Sequence, residues 1–275
     1  MFRRLAGAGV AVALAVLAVV HPSAQQPQQP QQPAAPTVDL LLRRASNYVL
    51  DFIVTFSNVV AEEHYLQTWR SFRHQMVGDF LLIQPKDSPG FFALRDVTTV
   101  DGTPVRDRES RVMKLLTEPA GSTVTQLDDI GRESGRFTFG NVFNSPVAAI
   151  ALLQMDYMPR FRFTLVGPER NLGPDVWTIR YEERERPYIF KSVKGQDLAS
   201  SGTFSIEAET GRVVRTELTL PNDTVTTRFA FDERFNIAVP VDMVERYRYM
   251  NYTVNGTATY GRFRRFGVTT DEKVQ

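Results

Sequence analysis

The sequence predicts an α+β fold: a long, curved antiparallel sheet, a half-barrel-like meander, with a leading helix and a few short helices covering its concave face. Three observations point there. From Arg160 onward apolar side chains recur at every second position, the period of a strand with one buried face. Short turn signals separate these runs, so neighbouring strands are expected to pair antiparallel. Ahead of them, residues 39–58 carry apolar residues at spacings of three and four, the period of a helix. A sheet with one apolar face must be covered, and the helices are the cover that the chain itself offers.

The N-terminus reads as an export signal. Arg3 and Arg4 precede an apolar run, Leu5 to Val20, and then His21, Pro22, Ser23 and Ala24. That is the layout of n-region, h-region and cleavage region, with cleavage expected near Ala24. An uncleaved N-terminal anchor is the rival reading, since the run is slightly short of a full span. Residues 25–37 begin QQPQQPQQPAAP and read as a disordered spacer leaning to polyproline II. A single mostly-β domain is expected over 38–270.

Within it, Leu41, Ala45, Tyr48, Val49, Phe52 and Phe56 line one helix face behind Asp39 as N-cap. Residues 59–69 look extended, and residues 76–85 and 91–100 are two further β-type runs ending at Asp101-Gly102, a turn signal. The middle reads as helical. Asp107 and Ser122 are placed as N-caps, and Ser145-Pro146 as an N-cap followed by Pro at the first helical position. The meander follows. Thr210-Gly211, Pro221-Asn222-Asp223 and Asn255-Gly256 punctuate it. The last run breaks phase between Tyr260 and Phe263, and a bulge near Gly261 would restore it.

Composition narrows function. Removing Arg3 and Arg4 from 32 basic residues leaves 30 against 31 acidic, a balance with no footprint for nucleic acid or for an anionic membrane surface. The chain has no cysteine, which excludes thiol catalysis and thiolate metal sites. There is no nucleophile elbow, P-loop or zinc-protease motif, and no cofactor or metal is expected. His64 stands beside Glu62 and Glu63, but this reads as a surface or sheet-edge cluster. Segments rich in charge (Arg106 to Arg111) or mixing Arg with aromatics (Tyr260 to Phe266) read as solvated faces. The expected activity is therefore binding, with an enzyme whose site is assembled from distant strands as an alternative.

The meander from Arg160 to Val268 resembles the periplasmic lipoprotein-carrier superfamily typified by LolA and LolB. The residues that carry the resemblance are TGRVVRTELTL, the run TVTTRFAFDERFNIAVPVDMVERYRY with its Val239-Pro240 and the strand bearing Glu245 and Tyr247, and the final TATYGRFRRFGV. The chain as a whole also resembles other secreted bacterial proteins. The resemblance implies a helix-plugged curved sheet with apolar ligand chains lying between helix and sheet.

On the residues themselves, the candidate ligand-binding stripe is Phe161, Phe163, Trp177, Tyr181, Phe204, Phe229, Phe231, Tyr247 and Tyr249. An aromatic sheet face this large, with only short helices to cover it, leaves room for an apolar pocket. The expected partners are a lipid or lipoprotein, or an envelope protein meeting a module with a closed core. The expected location is the periplasm or the exterior, without a transmembrane span once the signal is cleaved.

Overall fold

The computed structural model describes residues 35–84, 91–105, 131–132, 135–139, 144–192 and 194–265. All the elements described belong to the unit Pro36–Gln275. Its helix, α1 (Val38–Phe56), is amphipathic in the expected register. Leu41, Ala45, Val49, Phe52, Ile53 and Phe56 are buried along one side. The N-cap is Thr37, whose hydroxyl accepts from Leu40 N, and Asp39 lies in the first turn. The expectation of Asp39 as cap is two residues late. Both residue types can cap, and Thr37 has the extended backbone (φ −76°, ψ 154°) that a cap requires.

Among the described residues, eleven strands form one open antiparallel sheet. In chain order these are β1 (Val59–Trp69), β2 (Phe72–Ile83), β3 (Phe92–Val100) and β4 (Thr103–Pro104). Next come β5 (Phe161–Pro168) and β6 (Val176–Glu183), then β9 (Ser201–Glu207), β10 (Val213–Leu220), β11 (Asp223–Asp232), β12 (Ile237–Tyr249) and β13 (Tyr252–Arg265). Short strands β7 (Phe190–Lys191) and β8 (Asp197–Leu198) make a separate ribbon inside the β6–β9 loop. The order across the sheet is β4-β3-β2-β1-β13-β12-β11-β10-β9-β6-β5. The last strand thus returns to pair with the first, and β4 and β5 stand at the two edges.

The turns follow the sequence. Asp101 and Gly102 both have positive φ (48° and 77°) between paired Val100 and Thr103, the backbone of a tight hairpin. The phase break in β13 is a bulge. Val60 pairs with Arg264 but Glu62 with Gly261, and Arg262 takes a φ of 45°. The extra residue leaves Phe263 packed against the core. After Ser145 the chain makes a turn and a short 3-10 helix, Ile150–Leu153, instead of the expected α-helix. Val147, Ala149, Ile150, Leu152 and Leu153 are all buried. A segment apolar on nearly every side packs as a plug, and an extended Gln154 (ψ 143°) ends it. The helices expected from Asp107 and Ser122 fall largely outside the described residues, as does the charged run from Arg106 to Arg111. Of the second, Gly131, Arg132 and Gly135 are helical.

The core lies between α1 and the inward face of the sheet. Phe52 stacks on Phe56 at 5.2 Å and meets Phe229 edge-on at 6.4 Å. Tyr181 stacks on Phe204 at 4.5 Å. Among the described residues no helix is long and apolar enough to cross a membrane.

Candidate functional site

The stripe residues divide by position. Phe161, Tyr181, Phe204, Phe229 and Tyr247 are buried, and Phe163, Trp177 and Tyr249 are half-buried. Phe231 is exposed, with the Arg212 guanidinium 4.0 Å over its ring. The buried members belong to a packed interior, with Phe229 against Phe52 of α1. Toward the edge, Phe163, Leu165 and Trp177 belong to the same cluster without being covered, as do Val38 and Leu42 of α1. A half-open groove of about 420 Å³ lies elsewhere, between the second half of α1, Thr210–Arg212 and Phe235–Ile237, and no stripe residue lines it.

Beneath β13 the inward face changes character. Its inward positions there are Gly256 and Ala258, small enough for side chains of β1 and β12 to meet across it. The Tyr65 hydroxyl donates to the Glu245 carboxylate. Gln67 Nε2 donates to the hydroxyls of Tyr65 at 2.9 Å and Tyr247 at 2.8 Å. Gly256 pairs with Glu245 across the strands, and a Cβ there would overlap the Glu245 side chain. On the other side of Tyr65, Arg95 of β3 makes a two-pronged ion pair with Glu63, lies 4.6 Å over the Tyr65 ring and donates to Asn144 O at 3.1 Å. The Tyr260 hydroxyl donates to Glu63 at 2.8 Å.

This network holds down backbone from the middle of the chain. Phe139 N donates to Gln67 Oε1 at 3.1 Å, and Tyr247 donates to Phe139 O. The Phe139 ring sits 4.0 Å from Trp69. The two nitrogens of His74 face Phe137 O at 2.8 Å and the Asp101 carboxylate at 2.9 Å.

Burial is the leading influence on protonation. It pushes Glu245 up to about 7, against hydrogen bonds from Tyr65 and Gln67 and the field of Arg95. It also raises the phenols of Tyr65, Tyr247 and Tyr260, the first two further raised by Glu245 and the last by Glu63. Glu245 thus changes charge near neutrality inside the protein. Perturbed groups of this kind cluster at functional sites, though structural ion-pair networks produce them too.

The sequence reading of Glu62, Glu63 and His64 as one surface cluster needs division. Glu62 and His64 are a surface pair at 2.8 Å, but Glu63 is 1% exposed. The signal was present. In strand order Glu63 is in phase with Ala61 and Tyr65, and Glu245 with Met243 and Tyr247. Among the described residues no group of His, Asp and Glu side chains is arranged to hold a metal. The adjacent carboxylates Asp128 and Asp129 of the sequence lie outside the described residues.

A second buried carboxylate anchors the β6–β9 loop. Glu183 accepts from Ile189 N at 2.7 Å, from Ser200 N at 3.3 Å and from Ser200 Oγ at 2.8 Å. Arg160 stands 3.8 Å from it. The loop lays Ile189, Phe190 and Leu198 against the core.

No family model matches the chain, and no curated protein matches it. Solved structures do. A protein of the DUF1329 family from Desulfovibrio piger is 12% identical, with 88% of this chain and 96% of that one covered and a TM-score of 0.38. A LolA superfamily protein from Nitrosomonas europaea is 11% identical over 85% and 96%, with a TM-score of 0.37. A putative outer membrane lipoprotein-sorting protein domain from Vibrio parahaemolyticus is also 11% identical, over 83% and 95%, at 0.37.

Proposed function

We propose that the chain is an exported, non-enzymatic domain of the cell envelope that holds an apolar ligand, a lipid or a lipoprotein acyl chain, against the inward face of its sheet. The observation that carries this reading is the margin at β5 and β6. Phe163, Leu165 and Trp177 continue the core to the β5 edge of the sheet yet remain only half-buried. Burying apolar area is worth roughly 25 cal/mol per Å², so a chain lying along this margin gains directly from covering it. Phe161 and Tyr181 form its buried floor, with their rings 5.7 Å apart. Export rests on the Arg3-Arg4, Leu5–Val20, Ala24 layout.

A second reading, a protein-interaction module with a closed core, is favoured by one observation. Tyr181, Phe204 and Phe229 are at most 6% exposed, so the centre of the stripe has no room for a guest. The ligand reading therefore places the guest at the margin. Titration with a fluorescent fatty acid tests it. Wild-type protein is expected to bind, and Phe163→Ala combined with Trp177→Ala to bind about ten-fold or more weakly with the fold retained by circular dichroism. Absence of binding, or equal binding by the double variant, contradicts the assignment.

A further inference from the structure

One end of the sheet carries a feature that the ligand reading does not use. The β1–β2 and β12–β13 hairpins are tight. Trp69 pairs with Phe72 around a loop of Arg70 and Ser71, and Tyr249 pairs with Tyr252 around Met250 and Asn251. β1 and β13 are neighbours, with Thr68 opposite Asn255, so the two tips lie side by side. The Arg70 guanidinium sits 4.4 Å over the Tyr252 ring and joins them.

The tips present side chains that a soluble hairpin usually avoids. Phe72 is 59% and Met250 76% exposed. Trp69 stacks on Phe72 at 5.2 Å, and Trp69, Tyr249 and Tyr252 are half-buried around them. The first residue of each loop has positive φ, 52° at Arg70 and 53° at Met250. Gly and Asn are the ordinary occupants of such positions. An arginine and a methionine there break the local rule, and rule-breaking of this kind is expected where function asks for the side chain.

Charge completes the pattern. Residues 68–75 and 246–253 contain Arg70, Arg73, Arg246 and Arg248 and no Asp or Glu. Asp101, which bonds His74 and Gln75 N, and Asp223, opposite Tyr247, stand at the inner border of these segments, so the positive excess is local to the tips. Apolar tips, ringed by amphipathic aromatics and by arginines, match the layered chemistry of a bilayer surface. Trp and Tyr favour the headgroup level, and arginines are drawn to anionic lipid.

We propose that the paired tips of the β1–β2 and β12–β13 hairpins form an interfacial anchor, inserting Phe72 and Met250 into an anionic lipid surface with Trp69 and Tyr252 at headgroup depth. This does not rest on ligand binding at the β5–β6 margin, and either can fail without the other.

Quenching of Trp69 by brominated lipid tests it. The chain has two tryptophans, so the full chain carrying Trp177→Phe reports Trp69 alone, whatever its N-terminal apolar run does. With phosphatidylcholine–phosphatidylglycerol vesicles, Trp69 is expected to be quenched and its emission to shift to the blue. Phe72→Ser with Met250→Ser should abolish the quenching. Arg70→Gln and Arg73→Gln should each weaken the apparent affinity by up to about five-fold, as should raised salt. Phe72 and Met250 are exposed, so these variants should keep the parental melting temperature, which confirms that they fold. Trp69 left unquenched by these vesicles, or quenching that survives the serine variants, overturns the anchor. Equal quenching by pure phosphatidylcholine overturns its preference for anionic lipid.

Discussion

Replacing Glu245 by Gln should remove a specific pH dependence from the stability of this protein. The carboxyl is 1% exposed, accepts from Tyr65, and is pushed by burial from its ordinary 4.5 to about 7. Its folded form holds the proton more tightly than the unfolded chain does. The stability this contributes is complete below pH 4.5 and is lost as pH rises through about 7. The interval corresponds to about 3 kcal/mol between the two limits. Gln keeps the shape and an acceptor for Tyr65 but cannot ionise. Urea unfolding of both proteins from pH 5 to 8, followed by fluorescence, reads the difference as a shift in midpoint at constant slope. Every other ionisable group is common to both proteins and cancels in the comparison. Glu245→Gln is expected to match the wild type near pH 5 and to exceed it progressively toward pH 8, by on the order of 1–3 kcal/mol. A difference that does not change with pH, or one that grows toward low pH, would refute the buried-carboxyl reasoning.

Other outcomes follow from the same structure. Phe229→Ala, which empties the site against Phe52, is expected to cost about 3–5 kcal/mol in chemical unfolding, and a cost below about 1 kcal/mol would mean that the site is not packed. Glu183→Gln should weaken the anchor of the β6–β9 loop, so hydrogen exchange at Ile189 and Ser200 should accelerate while α1 keeps its protection. Unchanged exchange there would show that the loop is held by Ile189, Phe190 and Leu198 alone. Mass spectrometry of protein from its native host should give an N-terminus near Gln25, whereas an intact Met1 in the membrane fraction would favour the anchor over cleavage.

The sheet was legible because its strands are half-buried. Alternation in residues such as Val225, Thr227 and Phe229 encodes both the strand and its inward face, and the broken phase after Tyr260 located a bulge to within a residue or two. Helix α1 was legible for the corresponding reason at period 3.6. What the sequence conceals is anything set by pairing between distant strands. Glu63 and Glu245 are 182 positions apart, and their meeting near Tyr65 depends on β13 returning to lie between β1 and β12 with Gly256 and Ala258 facing inward. Local pattern carries no information on that return. Parity did mark both carboxylates as inward, but carboxylates are rarely buried without partners, and those partners became visible only with the fold. The stripe is similar. Its inward direction was legible, but which members are sealed, as Phe204 is, and which stay half-buried, as Phe163 does, depends on how distant parts of the chain pack over the sheet. The exposed tips at Phe72 and Met250 leave no mark in the sequence, because single apolar residues beside a turn are ordinary there.

The central claim, that the inward sheet face holds an apolar ligand at its β5–β6 margin, is tested most directly by native mass spectrometry of protein purified from its host, followed by lipid extraction. A co-purifying lipid or lipopeptide adduct is expected, lost from protein carrying Phe163→Ala and Trp177→Ala. Wild-type protein that carries no adduct, and that takes none up when exchanged against fatty acids, would contradict it and leave the closed interaction module.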